Sequence, residues 1–300
     1  MNYLTKIKNK ISRFYSYMIQ LKWALKSYRI GHYYSPYPDI FYIKEQEKNI
    51  WKTPPDFLPG IKLNIEKQLE LFNEFKKYYD QIPFKEHKTN QTRYYFDNDA
   101  YSYFDAVSLY SMIRFLKPKN IIEVGSGYSS ALMMDVNEIF FNNSIDMEFI
   151  EPYADRLKSL MSEKDFSKYK ITESFIQNLD LSHFETLSDN DILFIDSTHV
   201  SKLHSDVNYI FFEILPRLKK EVYIHFHDIF YPFEYPKQWV YNGTLWNEAY
   251  LLRAFLQYND SFEVVFFNTC FEHFHKEKIA RDMPICLKNT GGSIWLKKIR

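Results

Sequence analysis

Four short apolar runs decide what this chain can fold into: Ile121-Ile-Glu-Val124, Met147-Glu-Phe-Ile150, Asp191-Ile-Leu-Phe-Ile195 and Val222-Tyr-Ile-His-Phe226. Each is too short for a helix and apolar on both faces, the pattern of a strand covered on two sides in a parallel sheet. Helical stretches fall between them, from about Ser129, over residues 154–161 and over residues 205–218. Strand, helix and strand in alternation call for right-handed crossovers and an α/β, doubly wound, Rossmann-like sheet. After a helix over residues 247–258, the runs at 262–267 and 293–297 read as strands with no helix between them. They form an antiparallel pair closing one edge, whereas a dinucleotide-binding domain ends on parallel strands.

Upstream the character differs. Residues 1–60 read as a basic amphipathic helix and a connector, residues 61–118 as a helical cap region, and residues 119–300 as the cofactor-binding domain. Before Asp39 there is no acid, but Lys6, Lys8, Lys10, Arg13, Lys22, Lys26 and Arg29 are present. Leu4, Ile7, Ile11, Phe14, Met18, Leu21 and Leu25 recur at three-and-four spacing, which lays an apolar stripe along one helix face. Such a helix packs on its own domain or on a partner subunit of a homo-oligomer, or else lies on an anionic membrane surface as a peripheral contact. Its apolar runs have neither signal-peptide nor membrane-spanning length. Pro36, Pro38, Pro54, Pro55 and Pro59 make residues 30–60 an irregular, aromatic-rich connector. Asn64 caps a helix to about Tyr79, with Leu69, Phe72, Phe75 and Tyr79 facing inward, and a second helix over 102–116 ends at Pro118.

The formal net charge is zero, which argues against nucleic acid as a partner. Cys270 and Cys286 are the only cysteines, so the expectation is a reducing, cytoplasmic setting without a disulfide framework. The 25 Tyr and 27 Phe accompany scarce Gly and fit a compositional bias, so they carry little functional weight.

Ligands of an open parallel sheet bind beyond the carboxyl ends of its strands, where strand order reverses. At the first such end stands Glu123-Val-Gly125-Ser126-Gly127-Tyr128. Gly125 permits a tight turn and Gly127 a close backbone approach. The helix that follows offers amides at Ser129 and Ser130. Glu151, followed by Pro152, ends the next run, where a carboxylate can accept both hydroxyls of a ribose. A nicotinamide dinucleotide is the rival ligand. Ser130 stands where a dinucleotide loop has its third glycine, and Glu123 would sit poorly beside a pyrophosphate. S-adenosylmethionine has no pyrophosphate and carries an ammonium group, so the pattern favours it.

Several stretches together resemble a known family: Arg93-Tyr-Tyr-Phe-Asp-Asn98, Ile121 to Ser130, Phe149-Ile-Glu-Pro-Tyr153, Ile192-Leu-Phe-Ile-Asp-Ser-Thr-His199 and His225-Phe-His-Asp-Ile-Phe-Tyr-Pro232. They are similar to a bacterial group of class I methyltransferases, methyltransferase domain family 24, from about residue 60 onward. The resemblance implies the class I sheet with its reversed final strand pair and binding of S-adenosylmethionine. It supplies no acceptor. His204 and Phe104 depart from it by standing where glycine is expected, which would narrow an acceptor pocket or alter its chemistry.

Methyl transfer from a sulfonium is an in-line displacement, and a hydroxyl acceptor must also lose a proton. The candidates gather at two strand ends: Asp196 with His199, and His227 with Asp228. Asp196 also borders the cofactor. An imidazole suits a base near neutral pH. His227 and Asp228 lie nearer the strand end than His225, which reads as a core histidine. Asp196 and Asp228 are also candidate ligands for a divalent cation, magnesium with oxygen donors or iron or zinc if histidines join. The aromatic segments Tyr231-Pro-Phe-Glu-Tyr-Pro236 and Trp239 to Trp246 read equally as an acceptor lid or a packed loop, and Asn98 and Tyr101 as a cover on the cofactor. The expected activity is O-methylation of a small-molecule or glycan hydroxyl. The alternative is a non-catalytic or metal-dependent, hydroxylase-like use of the same fold.

Overall fold

The computed structural model describes the backbone of residues 3–300 and the side chains of residues 12–300. The side chains of Leu4, Lys6, Ile7, Lys8, Lys10 and Ile11 therefore lie outside the described residues. The chain divides into two compact units, one of residues 1–53 with 237–245 and one of residues 54–236 with 246–300.

The first unit holds α1 (Tyr3–Ala24), α2 (Ile40–Ile50) and, later in the chain, the short helix Lys237–Tyr241. Helix α2 falls in the stretch expected to be irregular. Asp39 starts it by accepting the amides of Phe41 and Tyr42, but only Ile43 of its side chains is buried, so it carries almost no apolar periodicity to announce it. Within this unit Lys237 pairs with Glu47 at 2.7 Å and the Tyr241 hydroxyl donates to the same carboxylate. On α1, Phe14, Met18 and Leu21 are exposed, so the described part of the apolar stripe is uncovered.

The second unit contains α3 (Ile65–Tyr79), α4 (Tyr103–Leu116), β1 (Asn120–Val124), α5 (Tyr128–Phe141), β2 (Asp146–Ile150), α6 (Asp155–Leu160), α7 (Asp165–Lys168), β3 (Lys170–Thr172), β4 (Ile192–Ile195), α8 (Asp206–Tyr209), α9 (Leu215–Arg217) and β5 (Tyr223–His227). With the Lys237–Tyr241 helix of the first unit as α10, there follow α11 (Glu248–Leu256), β6 (Phe262–Phe267), α12 (Asn268–Asp282) and β7 (Ser293–Lys298). The sheet order is β3-β2-β1-β4-β5-β7-β6, with β1 to β5 parallel and β7 antiparallel to both its neighbours. This is the class I methyltransferase, Rossmann-like sheet with its reversed final pair. Ile192, Leu193, Phe194 and Ile195 of the central strand are wholly buried, as two-sided cover requires. Helix α4 is buried on nearly every face because it lies in contact with α3, α5 and α12.

Three elements depart from expectation. Strand β3 has three residues at the sheet edge, too few for a periodic signal. Helix α12 occupies the stretch thought to have no helix between β6 and β7; it kinks at His275 (φ −134°), which breaks its apolar repeat. The helix expected over 205–218 is interrupted by a wider π-helical turn at Ile210–Ile214. Pro216, with no amide and a ring that crowds an α-helical carbonyl, follows directly.

Register fixes the site. Val124 lies level with Ile150 on one side and with Ile195 on the other, and Ile195 with Phe226. The next residues along, Gly125, Glu151, Asp196 and His227, therefore stand in one row. At the opposite end the Asp191 carboxylate accepts the amides of Lys119 (3.0 Å) and Asn120 (2.8 Å), which aligns the starts of β1 and β4. Arg93 ties the segment before α4 to α5 and α7, donating to Asp135 (2.7 Å), Asp165 (2.7 and 2.9 Å) and Glu138 (2.9 Å). Asp135 and Asp165 are buried, so removal of the guanidinium strands both charges. Arg93→Ala is expected to lower stability by about 3 kcal/mol, the usual order for breaking a buried ion pair, with urea unfolding as the measure. An unchanged midpoint would sink this account of the network.

Candidate active site

The turn after β1 is built around Gly125, whose φ is +82°. A Cβ there would fall 1.7 Å from the Asp196 carbonyl oxygen, so no other residue closes this turn. Gly127 is under no such constraint: a Cβ would meet only the Arg156 side chain, at 3.3 Å.

Glu123 does not face the ligand space. It is wholly buried, and its two oxygens accept the hydroxyls of Ser129 (2.5 Å) and Ser130. Ser130 Oγ in turn accepts the Gly127 amide at 3.0 Å. Glu123, Ser129 and Ser130 thus lock the start of α5 from behind rather than presenting themselves to a ligand. Burial, against the two serine hydrogen bonds, pushes the Glu123 carboxyl up to about 8.

Glu151 is held in two places. Its oxygens accept the amides of Tyr153 (2.8 Å) and Ser126 (3.3 Å), leaving acceptor capacity toward a cavity of about 340 Å³. Val124, Gly125, Glu151, Pro152 and Asp196 line that cavity, together with Phe175, Ile176, Gln177, Ser197 and Thr198. The Phe175 to Gln177 wall follows β3 and was invisible in the sequence because that strand was. His204 also lines the cavity, at φ +57°, a backbone position glycine takes easily. Phe104 is buried in the core against Phe266 and narrows nothing at the site. Tyr128 is half-buried, its hydroxyl 3.0 Å from that of Tyr95.

Two residues lining the cavity carry a buried polar atom without a hydrogen-bond partner, Ser197 Oγ and Gln177 Oε1. A polar ligand with both donors and acceptors would satisfy them.

Asp196 joins this cavity to a second group of side chains. Asp196, His227 and Asp228 offer donor atoms all within 4.8 Å of one another. His199 adds to them, its Nε2 lying 3.3 Å from Asp196 and 3.6 Å from Asp228, while its Nδ1 lies 2.9 Å from Glu248. Glu248 is wholly buried, and its amide and that of Asn247 both donate to the His199 carbonyl at 3.1 Å. Trp246 covers the His199 ring at 4.3 Å. Glu248 could not be read from the sequence, because 49 positions separate it from His199.

The three histidines differ in charge for stated reasons. His225 stacks on Phe194 at 3.9 Å and meets Trp295 edge-on, and burial drives its pKa well below the ordinary value. It is a core histidine, as expected. For His199 burial opposes charge, but Asp196 and Glu248 outweigh it and raise the pKa well above the ordinary value. For His227 burial is likewise overcome, by Asp228, Asp196 and the buried Asp105. Burial also opposes ionisation of Asp196, yet the His227 and His199 rings hold its pKa low, whereas burial prevails at Asp228 and raises it. His227 Nδ1 is buried without a partner.

The flanking segments are packed. Tyr231, Phe233 and Tyr235 are buried, and the Tyr235 hydroxyl accepts the Ala249 amide at 3.1 Å, so residues 231–235 form a packed loop. Asn98 caps its own turn through the Ala100 and Tyr101 amides, and Tyr101 is buried with its ring 4.9 Å from that of His227.

Residues 122–229 match the family described as methyltransferase domain. An uncharacterized protein of Archaeoglobus fulgidus is 34% identical over 166 residues, covering 54% of this chain and 74% of that protein. That relative is archaeal, so the bacterial label carried by the resemblance finds no support in it. Among solved structures, an S-adenosylhomocysteine-bound Podospora anserina methyltransferase is 13% identical, covering 87% of this chain and 97% of its own, with a TM-score of 0.42. An O-methyltransferase of tomaymycin synthesis from Streptomyces achromogenes, solved with SAM, is 11% identical over 80% and 92% of the chains, with a TM-score of 0.43.

The burial of Glu123 has a measurable consequence. Its carboxyl is neutral when folded and titrates near 8, against 4.5 when unfolded. The folded state therefore binds the extra proton, and this stabilisation is present below pH 4.5 and lost as pH rises through about 8. Across that window the ligand-free protein should lose melting temperature faster than Glu123→Gln. Parallel slopes for the two proteins in thermal unfolding would mean that Glu123 is ionised in the fold.

Proposed function

The chain belongs to the methyltransferase domain family of class I, S-adenosylmethionine-dependent enzymes, and from this we propose that it methylates a hydroxyl oxygen of a small molecule or glycan. The observation that carries the oxygen acceptor is the cluster of the buried His227 with the half-buried Asp196 and Asp228 beside the glycine turn, sharing Asp196 with the cavity. Transfer to a hydroxyl needs a proton acceptor beside the methyl donor, and an imidazole among carboxylates supplies one.

The residues present fit the cofactor. Glu151, fixed by two amides, would accept the ribose hydroxyls, and Ser197 and Gln177 would supply polar atoms that otherwise stay unpaired. Bound S-adenosylmethionine supplies an electrophilic methyl carbon. The protein's own part is alignment and proton removal. His227, made more basic by the carboxylates around it, takes the acceptor proton in its neutral form, and Asp228, 3.4 Å from its ring, stabilises the imidazolium that results. Glu248 orients His199, which holds Asp196 and Asp228 in place from the other side.

A second reading rests on the same cluster. Two carboxylates and an imidazole within 4.8 Å fit a divalent cation. Such a cation would orient the acceptor oxygen and lower its pKa.

Calorimetry on the purified protein should detect S-adenosylmethionine or S-adenosylhomocysteine, and Glu151→Ala should weaken binding by about 1–3 kcal/mol, the cost of unpaired hydroxyls. Normal NAD binding with neither of these ligands bound would refute the cofactor assignment. With an acceptor in hand, His227→Ala should slow turnover by roughly a hundred- to ten-thousand-fold at nearly unchanged cofactor affinity. A chelator in the same assay separates the readings: activity lost and restored by magnesium favours the cation, and activity untouched favours His227 alone.

A further inference from the structure

The first unit presents a surface that the methyltransferase chemistry does not use. Residues 12–30 are exposed without interruption. Along α1, Phe14 and Met18 stand four apart, Leu21 follows at three, and Leu25 continues the row, its amide donating to the Leu21 carbonyl at 2.9 Å. One helix face therefore carries an apolar stripe, and these four side chains are 41–79% exposed. Trp23, at 74% exposure, and Tyr15 and Tyr17 flank it. Beyond the helix, the exposed Tyr28, Tyr33 and Tyr34 gather around the half-buried His32, which stacks on Tyr28 and Tyr33 while Tyr34 meets those two rings edge-on, with ring centroids 4.2–5.0 Å apart. Arg13, Lys22, Lys26 and Arg29 are exposed among these groups, and no acid occurs before Asp39.

We propose that this segment docks on an anionic lipid surface, its stripe and aromatic rings entering the headgroup region while its cations meet lipid phosphates. Charge complementarity selects the occupant. The segment before Asp39 carries seven Lys and Arg residues and no acid, so a second copy of it would bring like charges together. An anionic bilayer instead attracts each cation and accepts the apolar stripe. Amphipathic rings such as Tyr and Trp favour the headgroup level, with an apolar body and a polar tip. No helix among the described residues is long and apolar enough to cross a membrane, so the mode is lying on the surface.

The test uses the full chain and two vesicle types, phosphatidylcholine alone and phosphatidylcholine mixed with phosphatidylglycerol. The protein should sediment with the mixed vesicles and stay in solution with the neutral ones. Raising salt from about 0.1 M to about 1 M shortens the screening length from roughly 10 Å to roughly 3 Å and should release it. Combined Arg13→Glu, Lys22→Glu and Lys26→Glu should weaken partitioning by on the order of a hundredfold, with cofactor affinity kept as evidence of an intact fold. Sedimentation with neither vesicle, or equally with both, overturns the proposal. So does self-association in velocity sedimentation that Phe14→Ser with Met18→Ser abolishes while vesicle binding is absent. The wild-type comparison decides the matter even if a variant misfolds.

Discussion

The site depends on one close approach. Where β1 and β4 end, the backbone of Gly125 comes so near the Asp196 carbonyl that any Cβ would collide with it. The Gly125 amide binds the Ile150 carbonyl at 3.0 Å, and the Asp196 amide binds the Val124 carbonyl at 2.8 Å. Those two bonds hold the ends of β2, β1 and β4 level. A side chain at 125 would push β4 away, and Glu151 and Asp196 would no longer share a cavity. At the far end, the Asp191 carboxylate bonded to the Lys119 and Asn120 amides keeps the same two strands from slipping. A one-residue slip would turn every side chain to the other face.

Given level ends, the distribution of charge follows from burial and proximity. His225 is two residues before His227 on the same strand, yet one ring is sealed between Phe194 and Trp295 while the other reaches Asp228. The first is driven neutral and the second toward the charged form. His199 reaches the same cluster from a loop at φ +59°, and Glu248 on α11 holds it there. A low-dielectric interior makes such pairings strong and their absence costly. That is why a buried carboxylate stands behind the imidazole rather than water.

Glu123 shows the opposite use of a carboxyl. Two residues before Gly125 on β1, it never meets the ligand space. Instead it fastens Ser129 and Ser130, and with them the first turn of α5. The glycine turn is thus supported on both sides, by a backbone contact at Gly125 and by a buried carboxyl beneath the helix that follows.

The sequence by itself determined the sheet. Runs apolar on both faces and too short for helices read as covered strands, and the glycine after the first run, with an acid after the second, marked where strand order reverses. Asp196, His227 and Asp228 were legible because they end such runs. The short β3, α2 with its single buried side chain, and α12 broken at His275 were not legible, since each lacks the repeat that local reading relies on. Only the tertiary structure decided that Glu123 faces inward, that Gln177 and Ser197 border the cavity, and that Glu248 belongs to His199. These are relations between strand ends and loops distant in the chain. They are set by register and packing, which no local pattern of residues encodes.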